Sequence, residues 1–271
     1  MKKVKPRSTK DTLSHRTEAT PARTQVHSIG TKHESSLHKT LKFRYAGPEG
    51  KTEEAVAGFV ADGISGDGEF IEVQTGSFGP LRQKAKELAA LGKVRIIYPV
   101  AIAKYIEVFE APAKERTGKL ACLGKLACLG KRLYRRKSPR KGNPWDLFDA
   151  LLYAPELPLI PGLCIELALV DITEKRVRDG KGSWRRKGVS IYDRELAVWH
   201  GTIILERPRD YLRFTPFKKG EEFTTALLAE RAGINTTLAR KTLYVLTRLG
   251  MVKRVGKQGN SFVYTIHAMK H

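Results

Sequence analysis

The chain has 271 residues, of which 41% are hydrophobic, and 50 Lys and Arg against 28 Asp and Glu give a formal net charge of +22. This hydrophobic share is enough to bury a core, which excludes a wholly disordered protein, and no apolar run approaches the ~18 residues of a membrane span. The excess of positive charge indicates a polyanionic partner, above all nucleic acid.

The cysteines and the N-terminus indicate in which cellular compartment the protein is expected. Cys122, Cys128 and Cys164 are too few for a disulfide scaffold, and their spacing differs from that of zinc ligands. The N-terminus is basic but lacks the apolar run of a secretory signal. We therefore expect a reducing, cytoplasmic setting.

Residues 1–33 predict a basic disordered tail, because they are rich in Lys, Arg, Ser and Thr and poor in large apolar residues. Two functions remain open for such a tail. It is either a solubilising extension or a flexible arm that contacts a phosphate backbone.

Residues 34–110 predict a compact unit of helices and strands. ESSLHKTLKFRYA places Leu37, Leu41 and Tyr45 on one helical face. TEEAVAGFVADGIS has the apolar content of β structure, and EFIEVQT is a short strand after a glycine turn. SFGPLRQKAKELAALG predicts a helix capped by Ser77, and KVRIIYPV and AIAKYIEVFE predict two further strands. We expect an α/β (α+β) fold with an α-β-β-β-α-β core and a mixed sheet.

Residues 111–217 predict a basic linker followed by a helix and a β-hairpin extension. The hexamer KLACLG occurs twice, at 119–130, and is too short a repeat for a solenoid. WDLFDALLYAPEL predicts a helix. The residues after it predict a long hairpin that turns at DGKG, beside Trp184. Two sets of cations here are candidates for phosphate contact, although a solvated face is the alternative: Arg135, Arg136, Lys137, Arg140 and Lys141 before the helix, and Arg185 and Arg186 at the hairpin.

Residues 218–271 predict two helices and then a hairpin. FTTALLAERAG is a short helix with Thr224 or Thr225 as cap, INTTLARKTLYVLTRLG is a longer helix with Thr236 as candidate cap, and the hairpin turns at KQGN. In this order the segment resembles the winged helix-turn-helix family, whose members bind DNA or, as the alternative, another protein. The resemblance assigns Asn235, Thr236, Thr237, Arg240, Lys241 and Tyr244 to a major groove, and Lys253, Arg254 and Lys257 to a wing near phosphates.

Two acids stand on neighbouring predicted strands, Asp62 on GFVADGIS and Glu72 on EFIEVQT. With the order of elements in residues 34–110, they resemble the core of the PD-(D/E)XK, or restriction-endonuclease-like, nucleases, which carry an acid on one strand and an acid-x-lysine triplet on the next. The chain also looks like an uncharacterised bacterial family that joins such a core to a C-terminal winged helix. The resemblance implies DNA as partner, Mg²⁺ or Mn²⁺ as cofactor, and the homodimers that many such nucleases form.

The resemblance also assigns roles to individual residues. Asp62 and Glu72 hold the metal ion, which activates a water for phosphodiester hydrolysis. Gln74 stands where the family has lysine and can orient water by hydrogen bonding, while Lys84 on the next helix supplies the missing charge, with Arg82 as second choice. Glu34 matches an additional helical acid of many members. His38, and one of Glu53 and Glu54 before the Asp62 strand, are secondary candidates, for which a packed histidine and solvated edge carboxylates are the more frequent explanations.

Two functions follow for the whole chain. The first is a metal-dependent DNA endonuclease targeted by the winged helix. The second is a nuclease-derived DNA-binding regulator or architectural protein that has lost catalysis, which Gln74 in place of lysine favours. Binding in both cases weakens steeply with salt, so metal-dependent cleavage is the property that separates them.

Overall fold

The computed structural model describes residues 34–111 and 129–267, which form a mixed α/β structure with one large mixed sheet and several helices. The predicted tail 1–33, Cys122, Cys128 and nearly all of the KLACLG repeat lie outside the described residues. The helices are α1 (Ser36–Ala46), α2 (Arg82–Leu91), α3 (Leu147–Leu151), α4 (Thr225–Ala232) and α5 (Thr236–Arg248). The strands are β1 (Lys51–Val56), β2 (Phe59–Ile64), β3 (Phe70–Val73), β4 (Val94–Glu110), β5 (Arg132–Lys137), β6 (Leu163–Arg178), β7 (Val189–Leu205), β8 (Glu222–Thr224), β9 (Val252–Gln258) and β10 (Ser261–Ile266).

The large sheet has the order β1-β2-β3-β4-β6-β7, with β5 added to β4. Strand β4 pairs in parallel with β3 and β6, whereas β1, β2, β5 and β7 join antiparallel to their neighbours. Because β4 is 17 residues long, β3 covers one edge at residues 94–97 and β5 covers the same edge at residues 105–109. The segments 34–110 and 111–217 therefore share one sheet.

The two faces of this sheet carry separate cores, because successive side chains of a strand point to opposite sides. On β6, Leu163, Ile165 and Leu167 belong to a cluster with α2, α3 and the C-terminal residues. Ala168, Val170 and Ile172 belong to a cluster with Leu37 and Leu41 of α1. We call the second side the α1 face. Since β6 is covered on both sides, its first half is buried almost continuously.

The elements of residues 34–110 follow the expected order, with TEEAVAGFVADGIS forming the hairpin of β1 and β2 around a two-residue turn in which Ala57 and Gly58 both have positive φ. Two local predictions in the N-terminal half are wrong. KVRIIYPVAIAKYIEVFE is the single strand β4, because Pro99 falls where the pairing with β6 continues. Ser77 does not cap α2, because a 3-10 turn at Gly79–Leu81 comes first and the Ser77 hydroxyl accepts from the Gly79 N–H.

The C-terminal residues form a second, three-stranded sheet of order β8-β10-β9 with α4 and α5. Thr224 caps α4 as predicted, whereas Asn235 rather than Thr236 caps α5, its side chain accepting from Leu238 N–H at 2.8 Å. Gly233 ends α4 in the left-handed conformation, which glycine adopts without strain. The core of this unit, including Leu243 and Leu246, continues into the cluster of α2 and α3.

Within the described ranges, no helix combines the length and the apolar character needed to cross a membrane.

Candidate active site

The candidate site lies where strands β2 and β3 separate. The last backbone pair between the strands is Gly63 with Ile71. At the next position, Asp62 on β2 and Glu72 on β3, hydrogen bonds from the two side chains join the strands instead. Asp62 N–H donates to Glu72 Oε1 at 3.3 Å, and Val73 N–H donates to Asp62 Oδ2 at 2.8 Å. Because each carboxylate accepts from the backbone of the other's strand, the two predicted metal ligands are fixed on either side of one gap.

Helix α1 and the residues before it bring two side chains to Asp62, His38 and Lys42, and place Glu34 beside them. Glu34, His38 and Lys42 follow one another at intervals of four, so they lie on one side of the helix. His38 Nε2 lies 3.1 Å from Asp62 Oδ2, and Lys42 Nζ lies 3.1 Å from Asp62 Oδ1 and 2.8 Å from Glu34 Oε1. Only 7% of Lys42 is exposed. Its spacing from Glu34 and His38 is the signal that could have identified it from the sequence.

Strand β1 adds a further acid beside Lys42. Glu53 Oε1 lies 3.6 Å from Lys42 Nζ. Glu53 has φ 60, in the left-handed region that is unfavourable for a residue other than glycine. It falls in a gap of the β1–β2 register, between Thr52 and Glu54. Such strain concentrates at functional sites and is retained where the surroundings impose it.

Helix α2 supplies the cation that faces Glu72. Lys84 Nζ donates to a Glu72 carboxylate oxygen and to the Val60 carbonyl, both at 2.6 Å. Glu72 is 3% exposed, so this ion pair is nearly dry. Arg82, the second choice, points elsewhere and pairs with Glu156. The structure therefore brings Lys84, and not Arg82, to the predicted carboxylates.

Gln74 lies just beyond the end of β3, and its side chain does not join these groups. Its amide donates to the Ser77 carbonyl, while its backbone N–H donates to the Ile97 carbonyl and continues the pairing with β4. The expectation that Gln74 points toward the carboxylates is not met in this arrangement, because the turn after β3 offers its amide a closer acceptor. Val73 is buried against the α1 face, as expected from the alternation along β3.

The two carboxylates have opposite affinities for protons. Burial disfavours ionised Asp62, but the hydrogen bond and charge of His38, the Val73 N–H and Lys42 outweigh it and lower the pKa of Asp62 to about 2. Burial, together with the nearby Asp62 charge, raises the pKa of Glu72 to about 7, although Lys84 opposes the shift. The pKa of Lys42 is raised despite its burial, because Glu34 and Asp62 stabilise its charge. Paired carboxyl groups with divergent pKa values are typical of catalytic sites.

A divalent ion would find two carboxylates here. Among residues 34–111 and 129–267, no group of three or more His, Cys, Asp or Glu side chains is arranged to hold a metal ion. Mg²⁺, however, is commonly bound by one or two carboxylates, with water and substrate phosphates as the other ligands. The donor chemistry of Asp62 and Glu72 therefore fits Mg²⁺, provided that the ion competes with His38, Lys42 and Lys84.

The predicted basic run is divided between the two faces of the sheet. On β5, the Arg135 guanidinium and the Lys137 ammonium lie over the Tyr105 ring, at 4.7 and 5.8 Å from its centroid. Arg136 projects to the other side, as the alternation of a strand requires. Arg140 and Lys141 lie exposed in the loop that follows β5.

The tip of the β6–β7 hairpin is exposed and basic. Trp184 is 82% exposed, the Arg185 guanidinium lies 5.4 Å from its ring centroid, and Arg186 donates to the Val189 carbonyl. Lys187 follows with φ 52, which turns the chain back into β7. An aromatic ring flanked by cations is a group that can stack on a nucleic acid base.

The exposed side of α5 contains most of the residues assigned to a major groove. Asn235 is engaged as the cap, and Lys241 Nζ pairs with Asp149 Oδ1 of α3 at 2.6 Å, so Lys241 is directed toward the rest of the molecule. The remaining predicted residues of α5 are exposed: Thr236, Thr237, Arg240 and Tyr244. On β9, Lys253 is exposed, and Arg254 and Lys257 lie over the Phe262 ring of β10 at 4.3 and 5.2 Å from its centroid.

Comparison with known proteins gives a family without an assigned activity. The model of a domain of unknown function (DUF8091) matches residues 35–206, which include the Asp62–Glu72 gap and the complete large sheet. An uncharacterized protein of Treponema pallidum (strain Nichols) is 27% identical over 238 residues, which cover 87% of this chain and 86% of that protein. No solved structure matches the chain. Because the family model spans more than half of the sequence, the chain belongs to the DUF8091 family.

Proposed function

We propose that this protein is a metal-dependent DNA endonuclease with an active site of the PD-(D/E)XK type. The observation that carries the proposal is the grouping of Asp62, Glu72 and Lys84 at the gap between β2 and β3. Two carboxylates and a lysine, held on neighbouring elements in a partly buried place, are the groups that phosphodiester hydrolysis requires.

In this proposal Asp62 and Glu72 hold Mg²⁺ or Mn²⁺. The bound ion supplies an activated water and neutralises charge on the scissile phosphate. Lys84 stays within reach of the same phosphate and stabilises the negative charge that develops there. His38 and Lys42 hold the Asp62 carboxylate ionised and in place, and Glu34 in turn holds Lys42. Gln74 orients the water only if its amide leaves the Ser77 carbonyl.

The C-terminal unit supports the targeting role. Helix α4, the turn at Gly233, helix α5 and the β9–β10 hairpin follow the order of a winged helix-turn-helix domain. We propose that α5 enters a major groove with Thr236, Thr237, Arg240 and Tyr244, and that β9 lies near phosphates. Lys241 is the exception, since it is paired with Asp149.

A second candidate function is favoured by one observation. Asp62 already has two partners, the His38 imidazole and the Lys42 ammonium, which a metal ion would have to compete with. A protein in which these pairs are permanent would bind DNA without cutting it and would act as a regulator or architectural factor.

A cleavage assay separates the two functions. Supercoiled plasmid and single-stranded and branched DNA are incubated with the full chain in Mg²⁺, Mn²⁺ or EDTA, beside Asp62→Asn, Glu72→Gln and the control Glu54→Gln on the edge strand β1. The nuclease proposal predicts metal-dependent cutting that is lost in the first two variants and kept in the control. DNA binding without cutting in every condition would refute it and favour the regulator.

A further inference from the structure

A cleft of about 400 Å³ opens on the α1 face, between the start of α1 and the loop that follows β5. Its floor includes Val170 and Ile172 of β6, and Ser35 forms part of one wall. Thr75, the residue after Gln74, also lines it. The cleft therefore adjoins the end of β3 that carries the candidate site, and lies on the same side of the sheet as α1.

The loop over this cleft is held in a fixed shape. Ser138 N–H donates to the Lys104 carbonyl and Gly142 N–H donates to the Ala101 carbonyl, both at 2.7 Å. A Cβ at Gly142 would lie 2.7 Å from the Ala101 oxygen, so the loop approaches β4 as closely as only glycine allows. The segment between these anchors, which carries Arg140 and Lys141, is therefore positioned before any ligand binds.

Positive charge dominates the walls of the cleft. Four cations line it, Lys104, Arg140, Lys141 and Arg194, against two acids. Of the acids, Asp146 accepts from the Asn143 N–H and caps the turn before α3. No carboxylate of the described residues forms an ion pair with Arg140 or Lys141, which are exposed.

The other acid, Glu174, is shared by several cations. It is 2% exposed, and its carboxylate lies 3.1 Å from Arg194 Nε and 3.9 Å from Lys104 Nζ, with Arg176 as a third partner. One carboxylate cannot neutralise three cations. The cleft thus keeps a surplus of positive charge at a place that is partly shielded from water, where electrostatic attraction is stronger than on an open surface.

The opposite face of the same sheet provides a contrast. There Lys175 Nζ pairs with Glu195 at 2.6 Å, and Glu107 pairs with Arg132 and Arg135 at 3.2 and 3.6 Å. Two acids partly neutralise these three cations, so a polyanion gains less there than from Arg140 and Lys141 of the cleft, which pair with no carboxylate of the described residues.

We infer that this cleft binds the phosphate backbone of a nucleic acid and leads the strand to the Asp62–Glu72 gap, an inference that deepens the proposed function and rests on it for the direction of the strand. A polynucleotide is favoured as occupant because cations continue beyond the cleft along the α1 face, at Arg136 of β5 and Arg178 of β6. A run of phosphates can contact all of these positions, whereas a single small anion cannot.

The test compares two double variants that remove the same charge a few residues apart. The cleft variant is Arg140→Ala with Lys141→Ala, and the control is Arg135→Ala with Lys137→Ala on the opposite face. Binding of a labelled duplex of about 20 base pairs to the full chain is followed by fluorescence anisotropy in EDTA, over a series of salt concentrations. Circular dichroism confirms that both variants are folded.

We expect the cleft variant to bind the duplex at least about tenfold more weakly and to lower the slope of log affinity against log salt by about two. The control should stay within about twofold of the wild type. Equal losses in the two variants, or no loss in the cleft variant, would overturn the inference. Displacement of the duplex by inorganic phosphate at constant ionic strength would also overturn it, because it would indicate a site for a small anion.

The outcome is independent of catalysis, because the assay contains no metal. A protein that binds through the cleft but never cuts DNA contradicts the proposed nuclease and leaves this inference intact. A cleft variant that still cuts DNA as well as the wild type at moderate salt overturns this inference and leaves the nuclease intact.

Discussion

The carboxylate site and the C-terminal unit use charge in opposite ways. Around Asp62 and Glu72 each acid has a cation beside it, and Lys42 and Glu72 are buried. Apart from Lys241, the cations of α5 and β9 are exposed, and Arg240 and Lys253 have no carboxylate partner among the described residues. The first arrangement fixes side chains in place at a cost in desolvation, whereas the second leaves charge available for a partner.

This difference predicts different responses to solution conditions. Buried pairs are weakly screened, so the site should be governed by pH and by ions that compete for Asp62 and Glu72. Exposed cations are screened strongly, so the C-terminal unit should be governed by salt. Most of the variants below change one of these two regions and leave the other unchanged.

The largest effect on stability is expected for Lys42→Met. This change leaves Glu34, Glu53 and Asp62 without their shared cation, and removal of one partner from a buried ion pair costs about 3–5 kcal/mol. The matched variant is Lys241→Met, whose pair with Asp149 is half exposed and should contribute less than about 1 kcal/mol. Urea unfolding gives both free energies, and similar losses in the two variants would contradict the comparison.

Stability should also depend on pH through Glu72. Its pKa of about 7 lies above the ordinary 4.5, so between these values the folded state holds a proton more tightly than the unfolded chain. The free energy of unfolding therefore falls as pH rises across this window. In Glu72→Gln the contribution of Glu72 to this pH dependence is absent, so the free energy of unfolding falls less. Urea unfolding in EDTA at about pH 5 and about pH 7.5 measures the change in the free energy of unfolding for the wild type and the variant. An unchanged pH dependence in the variant would be evidence against the raised pKa.

Much of the local structure could be predicted from the sequence, and the tertiary partners could not. The pairing of Asp62 with Glu72 was accessible, because a short turn joins their strands, whereas Lys84 was implied only by the resemblance to nucleases in which the following helix supplies the lysine. Lys42 was missed although its spacing from Glu34 and His38 was visible, because Glu53 and Asp62 lie on separate strands that only the fold brings beside it.

The direction of individual side chains is the other part that the sequence does not determine. Gln74 lies just after the end of β3, so the alternation of the strand no longer fixes the direction of its side chain. Its amide donates instead to the Ser77 carbonyl in the turn. The basic run 131–142 reads as one patch in the sequence, but the pleat of β5 directs Arg135 and Arg136 to opposite faces.

An intermediate effect, on binding rather than stability, is expected on α5. Arg240→Ala should weaken binding of a duplex by about tenfold, since a cation in the major groove is commonly worth 1–3 kcal/mol. The control is Arg231→Ala on α4, whose guanidinium pairs with Glu221 and lies over the Phe217 ring. Fluorescence anisotropy at low salt compares them. Loss of binding in the control alone would show that α5 is not the recognition helix.

The smallest effect on affinity is expected at the hairpin tip. Trp184→Phe keeps an aromatic ring, so affinity for single-stranded DNA should change by less than about threefold. The same change should abolish the quenching of tryptophan fluorescence by DNA, because Trp184 is the exposed indole. Trp199→Phe should retain the quenching. If quenching survives in Trp184→Phe, the tip does not stack on bases.

Metal binding by the protein alone tests the central claim most directly. Mn²⁺ is titrated into the full chain and followed by electron paramagnetic resonance, beside Asp62→Asn, Glu72→Gln and the control Glu54→Gln. Our account predicts a Mn²⁺ site in the wild type and in the control that is lost in both other variants. Absence of Mn²⁺ binding in the wild type, or equal binding in all four proteins, would contradict the assignment of Asp62 and Glu72 as a metal centre.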